Sequence, residues 1–175
     1  MAYQLEEINR RLKEDPAEFV AECDGVYQKR LETAADRILE RMKVSPIVLL
    51  SGPSGSGKTT TALKLEQELE RRGVQTHTIS MDNYFKTLNR RTAPRNAEGD
   101  IDYESPKLLD MDLLDETFTK LSRGEWVIVP KFEFARQMRN DSRGTPLKLD
   151  KNEIAIFEGI HALNDDISGR HPEAT

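Results

Sequence analysis

Residues 52–59 read Gly52, Pro53, Ser54, Gly55, Ser56, Gly57, Lys58 and Thr59, the full pattern G-x-x-x-x-G-K-[ST]. Each residue type in it has a physical task in holding a polyphosphate. Glycines let the backbone turn back so that successive amides converge on phosphate oxygens, and the helix that follows adds the partial positive charge of its N-terminus. Lys58 reaches the β and γ phosphates, the Thr59 hydroxyl can coordinate magnesium, and Thr60 continues the same turn. The setting agrees with the letters. Ile47, Val48, Leu49 and Leu50 form a short apolar run before the loop, and helical periodicity follows it. Without that setting the segment would be only a glycine-rich turn. The implied chemistry is binding of ATP or GTP with Mg2+.

Such a loop also needs an acidic group at the end of a neighbouring strand to hold the metal or its water shell. Glu158 directly follows the apolar run Ile154, Ala155, Ile156, Phe157 and precedes Gly159, a strand-then-acid arrangement. Asp82 follows a second predicted strand, at the carboxyl end where open α/β sheets bind ligands. Either side chain could instead be a solvated strand-end or helix-capping carboxylate; a shared edge with the loop favours the metal-holding reading for both.

The elements that must position these groups can be read from periodicity. Over residues 1–43 apolar residues recur at helical spacing, and Asp15, Pro16 and Glu18 supply an N-cap, a first-turn proline and a capping-box acid, so two helices are expected with the second starting near Pro16. Ser45 and Pro46 end it, and residues 47–50 are strand one. A helix beginning among Thr59, Thr60 and Thr61 runs to Gly73, and residues 74–80 are strand two. Residues 89–100 read as a surface loop, Ser105 and Pro106 open a helix closing near Gly124, and residues 126–129 form a strand. Residues 137–148 read as a second polar, basic loop before the last buried strand at 154–157. Strands alternating with helices imply an α/β three-layer sandwich with a mainly parallel sheet, organised as an N-terminal helical extension over residues 1–44 and a P-loop core over residues 45–175.

Composition narrows the function classes. A chain of 175 residues with formal net charge -5 has room for one ordinary domain and no global basic field to attract nucleic acid or anionic lipid. One cysteine, Cys23, excludes an intramolecular disulfide, and its place on the apolar face of the second helix suggests a buried, inert thiol. No apolar run of about 18 residues and no signal segment is present, so the expected compartment is the cytoplasm, with no membrane partner. His77, His161 and His171 lack metal-ligand spacing.

Five segments taken in order carry a resemblance. They are the loop from Gly52 to Thr60; Ser80, Met81, Asp82, Asn83, Tyr84 and Phe85; Asp102, Tyr103, Glu104, Ser105 and Pro106; Val129, Pro130, Lys131, Phe132, Glu133 and Phe134 with Arg139; and residues 156–164 around Glu158 and Gly159. Together, from about residue 47 to residue 164, they resemble the uridine kinase and phosphoribulokinase family. The resemblance implies that Asp82 is the general base for an accepting hydroxyl, that Glu158 supports the metal, and that Lys58 stabilises charge on the transferred phosphoryl. It also implies an acceptor pocket drawn from Phe85, Tyr103, Glu104, Phe132, Phe134, Gln137 and Arg139 and a small-molecule acceptor of the nucleoside type. A homo-oligomer is expected on separate grounds, an open sheet edge available for self-association.

The chain departs from that pattern at three pocket positions. Uridine kinases commonly carry Asp at the position of Glu104, Tyr at Phe132 and His at Gln137, so groups that would grip ribose and pyrimidine are altered. Strand alternation places Phe132 and Phe134 on one face, as either core or pocket wall. Members of the family continue past the Glu158 strand into further strands and an arginine-bearing lid; Arg136, Arg143 and Arg170 do not match the lid positions. The expectation is a truncated chain with an exposed sheet edge. Two rival readings stay open: another acceptor, such as a sugar phosphate or pantothenate, or a nucleotide-binding regulatory module with vestigial phosphotransfer. The acidic balance argues against a nucleic-acid-dependent NTPase.

Overall fold

The computed structural model describes residues 3–175; residues 1 and 2 of the expected extension lie outside the described residues. Helices α1 (Leu5–Glu14) and α2 (Pro16–Arg41) meet at Asp15, whose side chain accepts the Glu18 amide at 3.0 Å. This is the cap that the sequence announced. Strand β1 (Ile47–Leu50), helix α3 (Lys58–Arg71), strand β2 (Gln75–Ser80) and a 3₁₀ turn (Met81–Tyr84) follow. Helix α4 (Met111–Ser122), strands β3 (Val127–Val129), β4 (Phe132–Glu133), β5 (Met138–Arg139), β6 (Thr145–Leu147) and β7 (Glu153–Glu158), and the short helix α5 (Asp165–Ser168) complete the chain.

The central sheet is parallel, in the order β1-β7-β2. Alternation along its strands explains the layers. Val48, Ile154 and Ile156 face one side, where they pack against Leu31, Ala35 and Ile38 of α2 and Leu65 and Leu69 of α3. Ile47, Leu49, Ala155 and Phe157 face the other, against Leu114, Phe118 and Leu121 of α4. With helices on both faces, β1 and the interior of β7 read as continuous apolar runs, whereas β2, at an edge of the sheet, is mostly polar and only partly buried. The result is an α/β P-loop fold. Among the described residues no helix is long and apolar enough to cross a membrane.

Several local expectations change. Pro106 opens only a 3₁₀ turn (Pro106–Leu108); α4 starts later because Asp110 accepts the Leu113 amide at 3.3 Å and caps it. The expected loop at 137–148 contains β5 and β6, and β6 pairs antiparallel with β3, so β3 lies in a small ribbon outside the parallel sheet. Trp126 stands before β3 and is exposed. Cys23 is half-buried rather than enclosed. The rim of β1 is also partly paired: Thr175 donates to Ile47 O at 3.0 Å and accepts from Leu49 N at 2.8 Å.

Candidate active site at the carboxyl edge of the sheet

The seven residues 51–57 make the whole connection between β1 and α3. Gly55 and Gly57 have φ of 73° and 83°, the left-handed region that side chains disfavour. A Cβ on Gly52 would lie 2.8 Å from Ser56 Oγ, so the loop closes onto glycine there. Gly57 is the N-cap of α3 and no side chain caps the helix, which leaves its first-turn amides oriented toward the loop. Lys58 curls back over this loop and donates from Nζ to the Pro53 carbonyl at 2.9 Å.

Strand register brings the acids alongside. Glu158, the last residue of β7, sits between Leu50 of β1 and Ser80 of β2. Two residues beyond Ser80, Asp82 lies in the 3₁₀ turn. Burial raises its carboxyl above the ordinary carboxylate range, while the Lys58 ammonium and then the His161 imidazole oppose the rise. Asp82 and Lys58 therefore act on one another across the same space.

The turn holding Asp82 also leads into a cleft. Phe85, which follows the turn and donates its amide to Asp82 O at 3.3 Å, lines a cavity of about 240 Å³ with Lys86, Leu88, Tyr103, Leu108, Phe132, Phe134 and Gln137. Phe85 and Phe132 meet edge to face at 5.7 Å, as do Phe132 and Phe134 at 5.2 Å. Phe132 is 8% exposed and Phe134 62%, so the two do not share one environment. β4 ends at Glu133, and Phe134 begins a 3₁₀ turn that swings it to the rim. Gln137 has φ of 51° and its carbonyl takes the Leu88 amide at 2.9 Å.

Two expected pocket residues stand elsewhere. Arg139 is held by Asp110 at 2.6 Å and Asp141 at 2.9 Å. Glu104 is exposed; its amide bonds Asp102 Oδ1 at 3.1 Å and its carbonyl faces His161. Sequence reasoning missed Lys86, Leu88 and Leu108 in the lining, and Asn83, whose Oδ1 accepts the Phe132 amide at 3.2 Å and joins the Asp82 turn to β4. Lys86 and Leu88 lie directly after Phe85, which was the available signal. A larger groove of about 420 Å³ runs between α2 and β1, lined by Ile38, Val48, Leu65 and Thr175, and contains none of the motif residues.

Residues 47–169 match the phosphoribulokinase / uridine kinase family. The chain belongs to this family. Among curated relatives, it is 35% identical over 117 residues to uridine kinase of Schizosaccharomyces pombe, covering 67% of this chain and 25% of that protein. It is 32% identical over 126 residues to uridine kinase of Staphylococcus aureus strain JH9, covering 72% and 58%. The chain thus spans between a quarter and somewhat over half the length of these relatives. A solved structure from Bacillus stearothermophilus, described as a possible uridine kinase, superposes with a TM-score of 0.61 at 19% identity, covering 80% of this chain and 74% of that one. At that identity the likeness speaks to the fold, that of P-loop kinases.

The donors at this edge suit magnesium. The Thr59 hydroxyl and the Asp82 and Glu158 carboxylates are all hard oxygen ligands. Among the described residues no three His, Cys, Asp or Glu side chains gather into a protein-only cage.

Proposed function

We propose that this chain transfers the γ-phosphoryl group of ATP or GTP to a hydroxyl of a nucleoside. The observation that carries the reading is the position of Asp82. It lies within the electrostatic reach of Lys58, while the backbone of its own turn leads into the wall of the aromatic cleft through Phe85.

In this reading the loop amides and Lys58 hold the triphosphate and spread the charge of the transferred group. The acceptor oxygen forms a bond to the γ phosphorus as the bond to the β–γ bridging oxygen breaks, and the hydroxyl proton passes to Asp82. Its partly buried carboxyl, pushed up in pKa, is a stronger base than a solvated one. Thr59 and Glu158, with Asp82 nearby, would hold Mg2+, which neutralises phosphate charge when bound.

The acceptor class rests on the cleft. Edge-to-face phenylalanines with Tyr103 at the rim make a slot suited to a planar heteroaromatic ring, and Gln137 offers both a donor and an acceptor. The relatives named uridine kinase support the same choice. The test is calorimetry with Mg-ATP and Mg-GTP, followed by a phosphoryl-transfer panel of pyrimidine and purine nucleosides, ribulose phosphate and pantothenate. Turnover of a nucleoside supports the proposal. Turnover of ribulose phosphate or pantothenate alone would sink it, and nucleotide binding that survives Asp82→Ala with no acceptor phosphorylated would favour the regulatory reading.

A further inference from the structure

We infer that His161 is a positioning residue that fastens the Tyr103 side of the cleft to the phosphate-binding edge of the sheet. Its Nε2 lies 2.7 Å from the Glu104 carbonyl oxygen. A carbonyl only accepts, so Nε2 carries the hydrogen in this contact.

Both ends of the bond are anchored. On one side, His161 stands on a tight turn after β7, where Ala162 N donates to Gly159 O at 3.3 Å and Asn164 N to His161 O at 2.9 Å. The neighbouring Ile160 carbonyl accepts from Ser51 Oγ at 3.0 Å, which ties this turn to the first residue of the phosphate loop. On the other side, residues 102–105 fold on themselves. Ser105 N donates to Asp102 O at 3.3 Å and Glu104 N to Asp102 Oδ1 at 3.1 Å. Two further backbone ties leave the segment: Asp102 N donates to Pro94 O at 2.9 Å, towards the polar loop, and Ser105 O accepts from Leu108 N at 3.1 Å, towards the cleft.

Among the described residues, the His161 bond is the hydrogen bond that joins this segment to the turn after β7. Tyr103 lies inside it, lines the cleft and is 50% exposed, while Ser105 at the end of the segment is buried. His161 also stands near enough to the Asp82 carboxyl to act on it through charge. One side chain thereby links the segment that carries the Tyr103 wall to the sheet edge that carries the phosphate loop.

The kinetic effect rests on the phosphotransfer reading proposed above; the hydrogen bond does not. The experiment compares wild type, His161→Ala, His161→Gln and His161→Asn by steady-state kinetics and by backbone amide exchange at residues 102–105. Gln carries an N–H at about the reach of Nε2, and Asn is too short. The Ala and Asn variants should raise the acceptor KM about ten-fold with the ATP KM changed by less than about two-fold, and should exchange faster at 102–105. Gln should restore both readouts. An Ala variant with unchanged acceptor KM and unchanged exchange, or a Gln variant as impaired as Ala, overturns the positioning role. If wild type phosphorylates no acceptor while exchange still rises in Ala and recovers in Gln, the phosphotransfer reading fails and the fastening role stands.

Discussion

A Cβ placed on Gly159 would stand 2.9 Å from the Cβ of Met81, so the residue after Glu158 vacates the space into which the Asp82 turn folds. Met81 is 1% exposed and has little freedom to retreat. The two acids at the sheet edge are thus placed together by a contact between their neighbours. Gly159→Ala should cost about 1–3 kcal/mol of stability by urea unfolding. It should also lower phosphoryl transfer while Mg-ATP affinity moves by less than about three-fold. Loss of nucleotide binding in step with transfer would show that the contact supports the whole loop instead.

Asp82 should trade stability for chemistry. Burial holds its carboxyl above the ordinary value of 3.8, so the folded chain binds that proton more tightly than the unfolded chain. The group therefore favours folding at low pH, and the advantage disappears as pH rises through the raised folded value. At neutral pH the ionised side chain is a net cost. Asp82→Asn should raise the melting temperature by about 1–2 °C and reduce transfer by at least about a hundred-fold. A lowered melting temperature would contradict the desolvation account. In wild type, the acid limb of the rate profile should lie above the ordinary aspartate range.

Glu68 behaves in the opposite sense. Hydrogen bonds from Arg71 at 2.7 Å and Arg72 at 2.6 Å hold its carboxyl down at about 2. Arg72 also pairs with Asp36, so the cluster ties α3 to α2. The stabilisation is present above the ordinary value of 4.5 and is lost as pH falls toward about 2. Glu68→Gln should melt lower than wild type at neutral pH, and thermal scans should show the gap closing across that acid window. A gap independent of pH would assign the effect to packing.

Tyr84 is fully buried and its phenol is pushed up to about 12 by that burial. Thr117 stands close enough to temper the rise, yet gives its own hydrogen to the Leu113 carbonyl at 2.7 Å, and among the described residues the Tyr84 hydroxyl has no hydrogen-bond partner. Tyr84→Phe should leave unfolding free energy within about 0.5 kcal/mol of wild type, whereas Tyr84→Ala should cost about 3–5 kcal/mol. A large loss in the Phe variant would reveal a hydrogen bond that the geometry does not.

The parallel sheet was legible because β1 and β7 are unbroken apolar runs, and the phosphate loop was legible because strand, glycines and lysine are contiguous. β5 and β6 were not, since two- and three-residue strands of a ribbon bury little and leave no periodicity to read. Pro106 gave a false helix start because proline suits a 3₁₀ turn as well as an α-helix, while the deciding cap, Asp110, looked like an ordinary polar residue. Within the cleft, aromatic positions were recoverable from their motifs. The diversion of Arg139 to Asp110 was not, because 29 residues separate the pair and only the folded chain brings them together.

The 26-residue α2 is far longer than the sheet it covers. Leu31, Ala35 and Ile38 bury its second half, while the part before Tyr27 packs on Tyr3 and α1, with Phe19 buried there and no buried residue in α1 itself. Tyr27, bonded to Thr61 at 2.9 Å with Lys64 over its ring, marks where support from the core begins. The part before Tyr27 is therefore a cantilever: it can fray while the phosphate loop stays intact, and limited proteolysis should cut there long before the rest of the molecule opens.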